Sequence, residues 1–313
     1  MRNLLCWRFD ATKRRLARLA FTSKVRISSL KAALCRLPKV DLFISYQPET
    51  TWLLRDCLNI QTPIITMFHL NPMQFFLHDP NFAFYQKAVA SSEILHVLLS
   101  EFVAETQDKF PNNKINVIPN VAPQLDIRAD LSQKTIITIA RLTPQKRTTL
   151  LLEAFALLKD RFPEWKCVWY GERTDPEYWT TIEQVVRDNG LEERVLFPGK
   201  TDGVVSKLQN ASIFAFPSEY EGFGLALAEA FAMGLPAVGC KDCPAVRTLI
   251  KNESNGLLKD PTPEAYAEGL AKLMESEELR RKYGAQGKED MKAYSADSVW
   301  EAWDKLIQET IGR

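Results

Sequence analysis

Short apolar runs alternate with amphipathic stretches along most of the chain, beginning near residue 40. Four runs rich in β-branched residues predict strands at 40–46, 63–68, 94–99 and 115–118. Between them, apolar residues at spacings of three and four predict helices at 51–58, 73–88 and 101–110. This alternation is typical of a parallel sheet covered by helices.

The same alternation resumes after residue 134. It predicts strands at 135–140, 166–170, 194–197, 212–215 and 236–238. It predicts helices at 148–162, 176–189, 204–209 and 225–233, followed by a tail, 263–313, that is helical throughout. Residues 119–131 contain two prolines and no periodic apolar run, which indicates a linker.

We therefore predict an α/β protein with two Rossmann-like, doubly wound domains that face a cleft. The predicted limits are 1–125 for an amino-terminal domain, 126–295 for a carboxyl-terminal domain and 296–313 for a final helix. Ligands of such folds bind at the carboxyl ends of the strands, and two facing domains form a cleft there.

The overall composition is that of a folded globular protein. Its 313 residues are 46% hydrophobic and 25% charged, and the formal net charge is +1. A chain of this length suggests about two domains, since a domain has roughly 100–200 residues. The balanced charge argues against a strongly basic nucleic-acid binder, and we expect no nucleic-acid partner.

The balance conceals a strongly basic amino-terminal segment. Residues 1–40 hold 11 of the 40 Lys and Arg residues but only one of the 39 acids, Asp10. Apolar residues recur among them at spacings of three and four. Three interpretations stand, in order of preference: an interfacial helix on an anionic membrane surface, an ordinary solvated helix face, and an organellar transit peptide.

No stretch approaches the 18 or more apolar residues of a membrane span. We expect a cytoplasmic protein, peripheral at the inner face of the membrane, whose six cysteines are reduced thiols. Cys240 and Cys243 form a CxxC motif, but a structural zinc would need a second pair of ligands at suitable spacing. The sequence therefore predicts no metal site.

Residues 215–240 carry the most informative pattern for chemistry. A strand ends near Ala215, a loop with glycines follows, and a helix begins near Leu225. Amides of a first helical turn and the positive end of the helix dipole favour phosphate, and glycine lets a ligand approach the backbone. The predicted anion-binding residues are Gly222, Phe223, Gly224, Leu225 and Ala226, with Glu221 and Glu229 near the attached groups.

A second loop supplies positive charge. Arg141 and Lys146 follow the predicted strand 135–140 directly, at the end where ligands bind in this fold. A guanidinium and an ammonium suit a diphosphate in geometry and charge. Arg147, the next residue, fits a solvated surface charge better.

Four stretches in this order resemble landmarks of one family. They are ARLTPQK at 140–146, VWYGE at 168–172, RVLFPGKTD at 194–202 and EGFGLALAE at 221–229, and NGLLKD at 255–260 is a further fit. The carboxyl half is similar to the retaining glycosyltransferases of family 4, known as glycosyltransferase group 1, which have the GT-B fold. The resemblance covers residues 134 to about 260 and is weaker in the amino half.

The resemblance implies a role for each matching residue. Arg141 and Lys146 would hold the diphosphate of a nucleotide-sugar donor, together with the amides of residues 222–226. Glu229 would bind the ribose hydroxyls, and the backbone near Lys200 would meet the nucleobase.

The catalytic residues that the resemblance implies are Glu221 and His69. Glu221 would bind hydroxyls of the transferred sugar. His69 ends the predicted strand 63–68, where the family places a histidine near the donor sugar.

The implied activity is retaining, metal-independent sugar transfer. The donor would be a UDP- or GDP-sugar, acting as substrate with no further cofactor, and the acceptor a saccharide or a lipid-linked glycan of the cell surface. The family normally has a strand and a Gly-rich loop that residues 1–39 cannot hold, so we expect an incomplete amino-terminal domain. A non-catalytic nucleotide-sugar-binding subunit is therefore an alternative, and a nucleotide-sugar epimerase is a third.

Overall fold

The structure is a computed structural model that describes residues 27–29, 31–34, 36, 40–73, 76–77 and 79–312. Most of the basic segment at 1–40 lies outside the described residues. Within it, residues 27–29 and 31–34 are helical. The interpretations of this segment therefore remain predictions.

The first half of the described chain forms a four-stranded parallel sheet. Its strands, in the order β1-β2-β3-β4, are β1 (Phe43–Ser45), β2 (Ile64–Phe68), β3 (Ile94–Val97) and β4 (Lys114–Val117). Helices α1 (Pro48–Trp52), α2 (Phe82–Ala90) and α3 (Val103–Lys109) lie between them, and a π-helical turn extends α1 to Cys57. Every residue of β2 is buried, as is expected of a central strand covered on both faces.

The second half forms a six-stranded parallel sheet in the order β10-β9-β8-β5-β6-β7. Its strands are β5 (Thr135–Ile139), β6 (Lys166–Tyr170), β7 (Val195–Gly199), β8 (Ile213–Phe216), β9 (Ala237–Cys240) and β10 (Gly256–Lys259). Helices α4 (Thr148–Ala156), α5 (Pro176–Asp188), α6 (Val204–Gln209), α7 (Leu225–Ala232) and α8 (Pro244–Leu249) connect them. The chain moves outward in one direction from β5 and in the other from β8. The boundary between β5 and β8 is therefore a topological switch point, where such sheets bind ligands.

Three helices complete the chain, α9 (Pro263–Glu275), α10 (Glu277–Asp290) and α11 (Ala296–Ile311). The tail predicted to be helical is divided into three helices, because Ser276 and Ser295 have extended backbone conformations and cap new helices. Each serine side chain accepts a hydrogen bond from the amide three residues later, as N-cap residues do. The last helix then packs on the first sheet.

Other predicted elements differ at their limits. The helix predicted at 73–88 is present as α2, over 82–90, and the helix predicted at 148–162 ends as α4 at Ala156. Pro163 disfavours helical conformation at the residue before it, and tight turns occupy 157–161. Strand β10 was not predicted as a strand because it contains glycine, lysine and two leucines, none of them β-branched.

The two sheets are joined through a segment with no helix or strand, residues 118–134. This segment runs along the second half, where the Ala122 amide donates to the Tyr294 carbonyl and the Ala129 amide to the Met233 carbonyl, each at 2.8 Å. One buried apolar cluster contains side chains from both sheets, including Phe68 and Phe214. The predicted domain limits remain a prediction.

Candidate active site

A cavity of about 320 Å³ lies at the carboxyl ends of the central strands of the second sheet. Ile139 and Ala140 line it from the end of β5, and Phe216 lines it from the end of β8. It therefore lies at the switch point of the sheet, and loops from the first sheet cover its other side. We call it the donor cavity, after the nucleotide-sugar donor that the family resemblance implies for its lining residues.

The loop after β5 brings Arg141 to this cavity. Arg141 is exposed and lines the donor cavity, and a hydrogen bond of 2.9 Å from the Leu142 amide to the Glu172 carbonyl fixes the next residue. Gly171 lies so close that a Cβ there would be 1.8 Å from the Ala140 oxygen. Only glycine therefore lets the loops after β5 and β6 approach each other in this way.

Lys146 and Glu221 form a largely buried ion pair in the donor cavity. The Lys146 Nζ is 2.5 Å from Glu221 Oε1, and the two side chains are 11% and 13% exposed. The backbone around them is also cross-linked, since Gln145 donates to the Tyr220 carbonyl at 2.7 Å. An ammonium has three N–H donors, so Lys146 can hold Glu221 and still donate to a bound phosphate.

Arg147 points away from the donor cavity and is paired elsewhere. Its guanidinium donates to both carboxylate oxygens of Asp242, at 3.0 and 2.7 Å. Burial alone would lower the pKa of Arg147, but the hydrogen bonds and charge of Asp242 outweigh it and raise that pKa. The residue adopts a left-handed conformation, with φ of 47°, just before α4.

The loop that contains Gly222 and Gly224, just before α7, forms another wall of the donor cavity. A Cβ on Gly222 would be 2.5 Å from the His69 carbonyl oxygen, so this glycine permits a close approach between the two halves of the chain. Gly224 caps α7 with a φ of 91°, a conformation that favours glycine. Leu225 and Ala226, in the first turn of α7, line the cavity, and amides there are free of intrahelical partners in any α-helix.

His69 lies at the end of β2, on the side of the donor cavity that the first half provides. Its ring stacks on Tyr46 with centroids 4.8 Å apart and planes 5° from parallel. Burial lowers the pKa of His69, which favours the neutral imidazole. Its Nε2 atom is buried without a hydrogen-bond partner among the described residues. Buried polar atoms without a partner are uncommon in proteins, which makes this atom a candidate for a role in ligand binding.

A smaller cavity of about 180 Å³ adjoins the donor cavity on the other side of Arg141. Lys200, Glu172 and Tyr170 line it, and Lys200 Nζ is 3.5 Å from Glu172 Oε1. Both of these charged side chains are more than half exposed. The structure therefore places Lys200 near Arg141 but outside the donor cavity.

Glu229 lies one turn beyond the cavity-lining part of α7 and does not line either cavity. Burial of its carboxylate raises its pKa. Within the described part of the chain, no cation forms an ion pair with it. A half-buried carboxylate of this kind is poorly satisfied by the protein alone.

The donor cavity thus brings together most of the predicted site residues, which are His69, Arg141, Lys146, Glu221, Gly222, Phe223, Gly224, Leu225 and Ala226. Asn120 and Leu70 also line it and were not predicted. The sequence did carry a signal for Asn120, because it follows the last strand of the first sheet, at the ligand-binding edge. The roles predicted for these residues remain predictions.

Among the described residues, no group of three or more His, Cys, Asp or Glu side chains is arranged to hold a metal ion. In the same part of the chain, no helix has both the length and the apolar character needed to cross a lipid bilayer.

Comparison with known families gives one match over half of the chain. Residues 126–290, just over half of the 313, match the family described as Glycosyl transferases group 1. The matched region contains the whole six-stranded sheet and every donor-cavity residue that follows Asn120.

Individual proteins of known sequence or structure are similar to this chain, and the solved structures share its fold. An exopolysaccharide phosphotransferase of Streptomyces coelicolor is 30% identical over 64% of this chain and 21% of its own length. The structure of sucrose-phosphate synthase from Thermosynechococcus elongatus superposes with a TM-score of 0.82, at 17% identity, over 95% of this chain and 80% of that one. The Anabaena HepE structure in complex with UDP-glucose gives a TM-score of 0.75, at 17% identity, over 86% and 79%.

The predicted α/β class and two-sheet, GT-B-type architecture are confirmed by these likenesses. The chain covers between about a fifth and two thirds of the length of the first curated relatives that it matches.

Proposed function

The chain belongs to the glycosyl transferases group 1 family, and we propose that it transfers a sugar from a nucleotide diphosphate sugar to a saccharide or lipid-linked acceptor in cell-surface glycan synthesis. The observation that carries this proposal is the donor cavity. There a guanidinium, an ammonium and a helix amino terminus converge at the switch point of the second sheet.

The donor diphosphate would bind between Arg141, Lys146 and the first turn of α7. All three line one cavity of about 320 Å³, within the range of about 300–1,000 Å³ typical of small-molecule sites. The nucleobase would extend toward the cavity beside Lys200, and the ribose toward Glu229. The UDP-glucose bound to the structurally similar HepE protein supports a uridine nucleotide as the first donor to test.

The cations would also stabilise the leaving group. When the bond between the sugar and the diphosphate breaks, negative charge grows on the departing phosphate, and fixed donors at that position lower the barrier. The backbone at Arg141 is positioned by the close approach at Gly171, and the Lys146 side chain by its ion pair with Glu221. Lys146 therefore needs little reorganisation as the charge develops.

Glu221 and His69 would flank the transferred sugar. The Glu221 carboxylate would accept hydrogen bonds from sugar hydroxyls, and His69, whose buried Nε2 has no partner among the described residues, would line the sugar from the other half of the chain. We propose a retaining reaction in which the acceptor hydroxyl attacks on the face that the diphosphate leaves. A phosphate oxygen would take up its proton.

Arg141→Ala tests the assignment with little damage to packing, because Arg141 is exposed. We expect at least a hundredfold loss of sugar transfer and about a tenfold loss of UDP affinity, which corresponds to about 1.4 kcal/mol. Turnover is measured as nucleotide release from a panel of UDP- and GDP-sugars, and affinity by calorimetry with UDP.

Arg187→Ala is the matched control, since Arg187 is also exposed but lies on α5, away from both cavities. It should leave both quantities unchanged. Unaltered UDP affinity in Arg141→Ala would contradict the donor site. Normal UDP binding with no nucleotide release from any donor would favour a non-catalytic binding subunit.

A further inference from the structure

A third cavity, of about 350 Å³, opens between the end of the first sheet and the last helix. Tyr46 and His69 line it from the ends of β1 and β2, and Trp300 and Asp304 line it from α11. We call it the aromatic cavity. His69 and Asn120 line both this cavity and the donor cavity, so the two are neighbours with a shared wall.

Two of its aromatic side chains are turned toward solvent. Tyr46 is 61% exposed and Trp300 is 62% exposed, whereas Trp303 is partly buried against His96. Large aromatic rings gain most from burial, so two exposed rings that line one cavity mark a surface suited to a ligand. Tyr46 is also held in place, because its ring stacks on His69.

The charge of the aromatic cavity distinguishes its ligand from the donor. Asp304 is the only carboxylate among the described lining residues, and no lysine or arginine is among them. A diphosphate would be repelled there, whereas the donor cavity has Arg141 and Lys146. The ligand is therefore neutral or cationic.

Polar groups in the wall disfavour a purely apolar ligand such as a lipid chain. The Asp304 carboxylate, the Asn120 amide and the His69 ring lie among the aromatic residues. A sugar ring matches this mixture, since its C–H groups pack on the electron-rich face of an aromatic ring while hydroxyls around its rim form hydrogen bonds. Tyr46 and Trp300 offer such faces, and Asp304 accepts hydrogen bonds from hydroxyls.

We propose that the aromatic cavity binds a sugar unit of the acceptor, stacked on Trp300 and Tyr46 and hydrogen-bonded to Asp304. This inference rests on the proposed function, because only a sugar transferase needs a second glycan next to its donor. The shared wall at His69 and Asn120 supports it. A glycan that starts in the aromatic cavity reaches the donor cavity past His69, where the transferred sugar would lie.

Saturation-transfer NMR on the full chain tests the proposal with methyl and octyl glycosides of glucose, galactose, mannose and N-acetylglucosamine, with and without UDP. We expect binding of at least one sugar and a tenfold or greater rise of its Kd in Trp300→Ala. Trp300→Phe should restore part of the affinity, and Asp304→Asn should weaken binding. Glu301→Ala, an exposed residue of the same helix that does not line the cavity, should have no effect.

Different outcomes of this experiment would contradict different parts of the proposal. Binding of no glycoside by the wild type, or equal Kd values for wild type and Trp300→Ala, overturns it. Binding of octyl glycosides alone, without preference among sugars, also overturns it, because an apolar chain would then be the ligand. If the wild-type chain does not bind UDP, the proposed donor site is contradicted instead. The glycoside titrations without UDP still show whether the aromatic cavity binds a sugar.

Discussion

Lys146 and Glu221 show how much of the donor cavity depends on pairs of residues distant in sequence. Their 2.5 Å ion pair joins the loop after β5 to the loop after β8, 75 residues later. Replacing Lys146 would leave a largely buried carboxylate without its partner, which costs more than the pair itself contributes. Effects of Lys146 variants on activity must therefore be read against stability, whereas those of the exposed Arg141 report on the ligand more directly.

Glu229 is the residue for which stability and function should change in opposite directions. Burial raises the pKa of its carboxylate, so the stability contribution of this group is full below the unfolded pKa and is lost as the pH rises through the folded pKa. At pH 7 the ionised form is a cost. Glu229→Gln should raise Tm by about 1–3 °C at pH 7. It should also weaken UDP binding about tenfold, because a charge-assisted hydrogen bond to ribose is lost.

Thermal unfolding at pH 7 and pH 4, together with UDP titration, measures both effects. The Tm gain should shrink toward pH 4, where the wild-type carboxyl is itself protonated. Glu268→Gln, an exposed glutamate on α9, is the control and should change neither property beyond a small surface effect. A Tm that falls at pH 7, with UDP affinity intact, would show a structural role for Glu229.

The sequence predicted which residues line the donor cavity better than it predicted the side-chain contacts that they make. Arg141 and the glycine loop follow strands directly, so their position at the ligand-binding edge follows from the fold class alone. The pairing of Lys146 with Glu221, and of Arg147 with Asp242, depends on loop conformations that local pattern does not specify. The stacking of Tyr46 on His69 was likewise not predicted, because neither residue's neighbours in sequence indicate it.

At the scale of elements, the contact between α11 and the first sheet contains a buried histidine. His96 of β3 is fully buried and its ring contacts that of Trp303 of α11, with centroids 4.8 Å apart and planes 34° apart. Its Nε2 is 2.8 Å from the Ile118 carbonyl, so Nε2 carries the proton and donates, while Nδ1 has no partner among the described residues. Burial lowers the pKa of His96 to about 4, despite the opposing hydrogen bond to Ile118.

This contact predicts acid lability. A histidine with a depressed folded pKa contributes stability that is full above its unfolded pKa of about 6.5 and is lost as the pH falls toward 4. The loss amounts to about 3 kcal/mol, from about 1.4 kcal/mol for each pH unit between the two values. His96→Leu, which cannot be protonated, should be less stable at pH 7 but show a flatter dependence between pH 6.5 and 4.

Urea unfolding followed by tryptophan fluorescence, at several pH values across this range, gives the two slopes. His69→Gln is a useful comparison, since His69 is less buried and should flatten the profile less. Equal slopes for wild type and His96→Leu would exclude His96 as the group responsible.

Helices and strands were predictable where apolar residues recur along the sequence with a clear spacing. All four strands of the first sheet and five of the six in the second were anticipated within a few residues. The exception, β10, has a local cause: it begins with Gly256 and ends with Lys259, and neither of its two apolar residues, Leu257 and Leu258, is β-branched. In the tail, Ser276 and Ser295 cap new helices. The membrane interpretation of residues 1–40 lies largely outside the described residues and stays a prediction.

At the scale of the whole molecule, both halves of the chain are needed to form the proposed transfer site. The second sheet supplies the cations and the helix terminus, while the first supplies His69, Leu70 and Asn120 across the cavity. Gly222 allows the closest approach, since any side chain there would meet the His69 backbone. The aromatic cavity adds α11, a helix from the end of the chain that packs on the first sheet.

The charges on this joint surface predict that sugar transfer is independent of divalent metal. Arg141, Lys146 and a helix terminus worth about half a charge would face the diphosphate of the proposed donor, so its negative charge would be largely neutralised even after Glu221 offsets one cation. Turnover in EDTA should therefore stay within about twofold of turnover in Mg²⁺, because side chains supply the stabilisation that a metal would otherwise give. A metal-dependent glycosyltransferase assayed in the same buffers must lose activity in EDTA. If this chain also loses activity and Mg²⁺ or Mn²⁺ restores it, a metal completes the donor site and the neutralisation by Arg141 and Lys146 is insufficient.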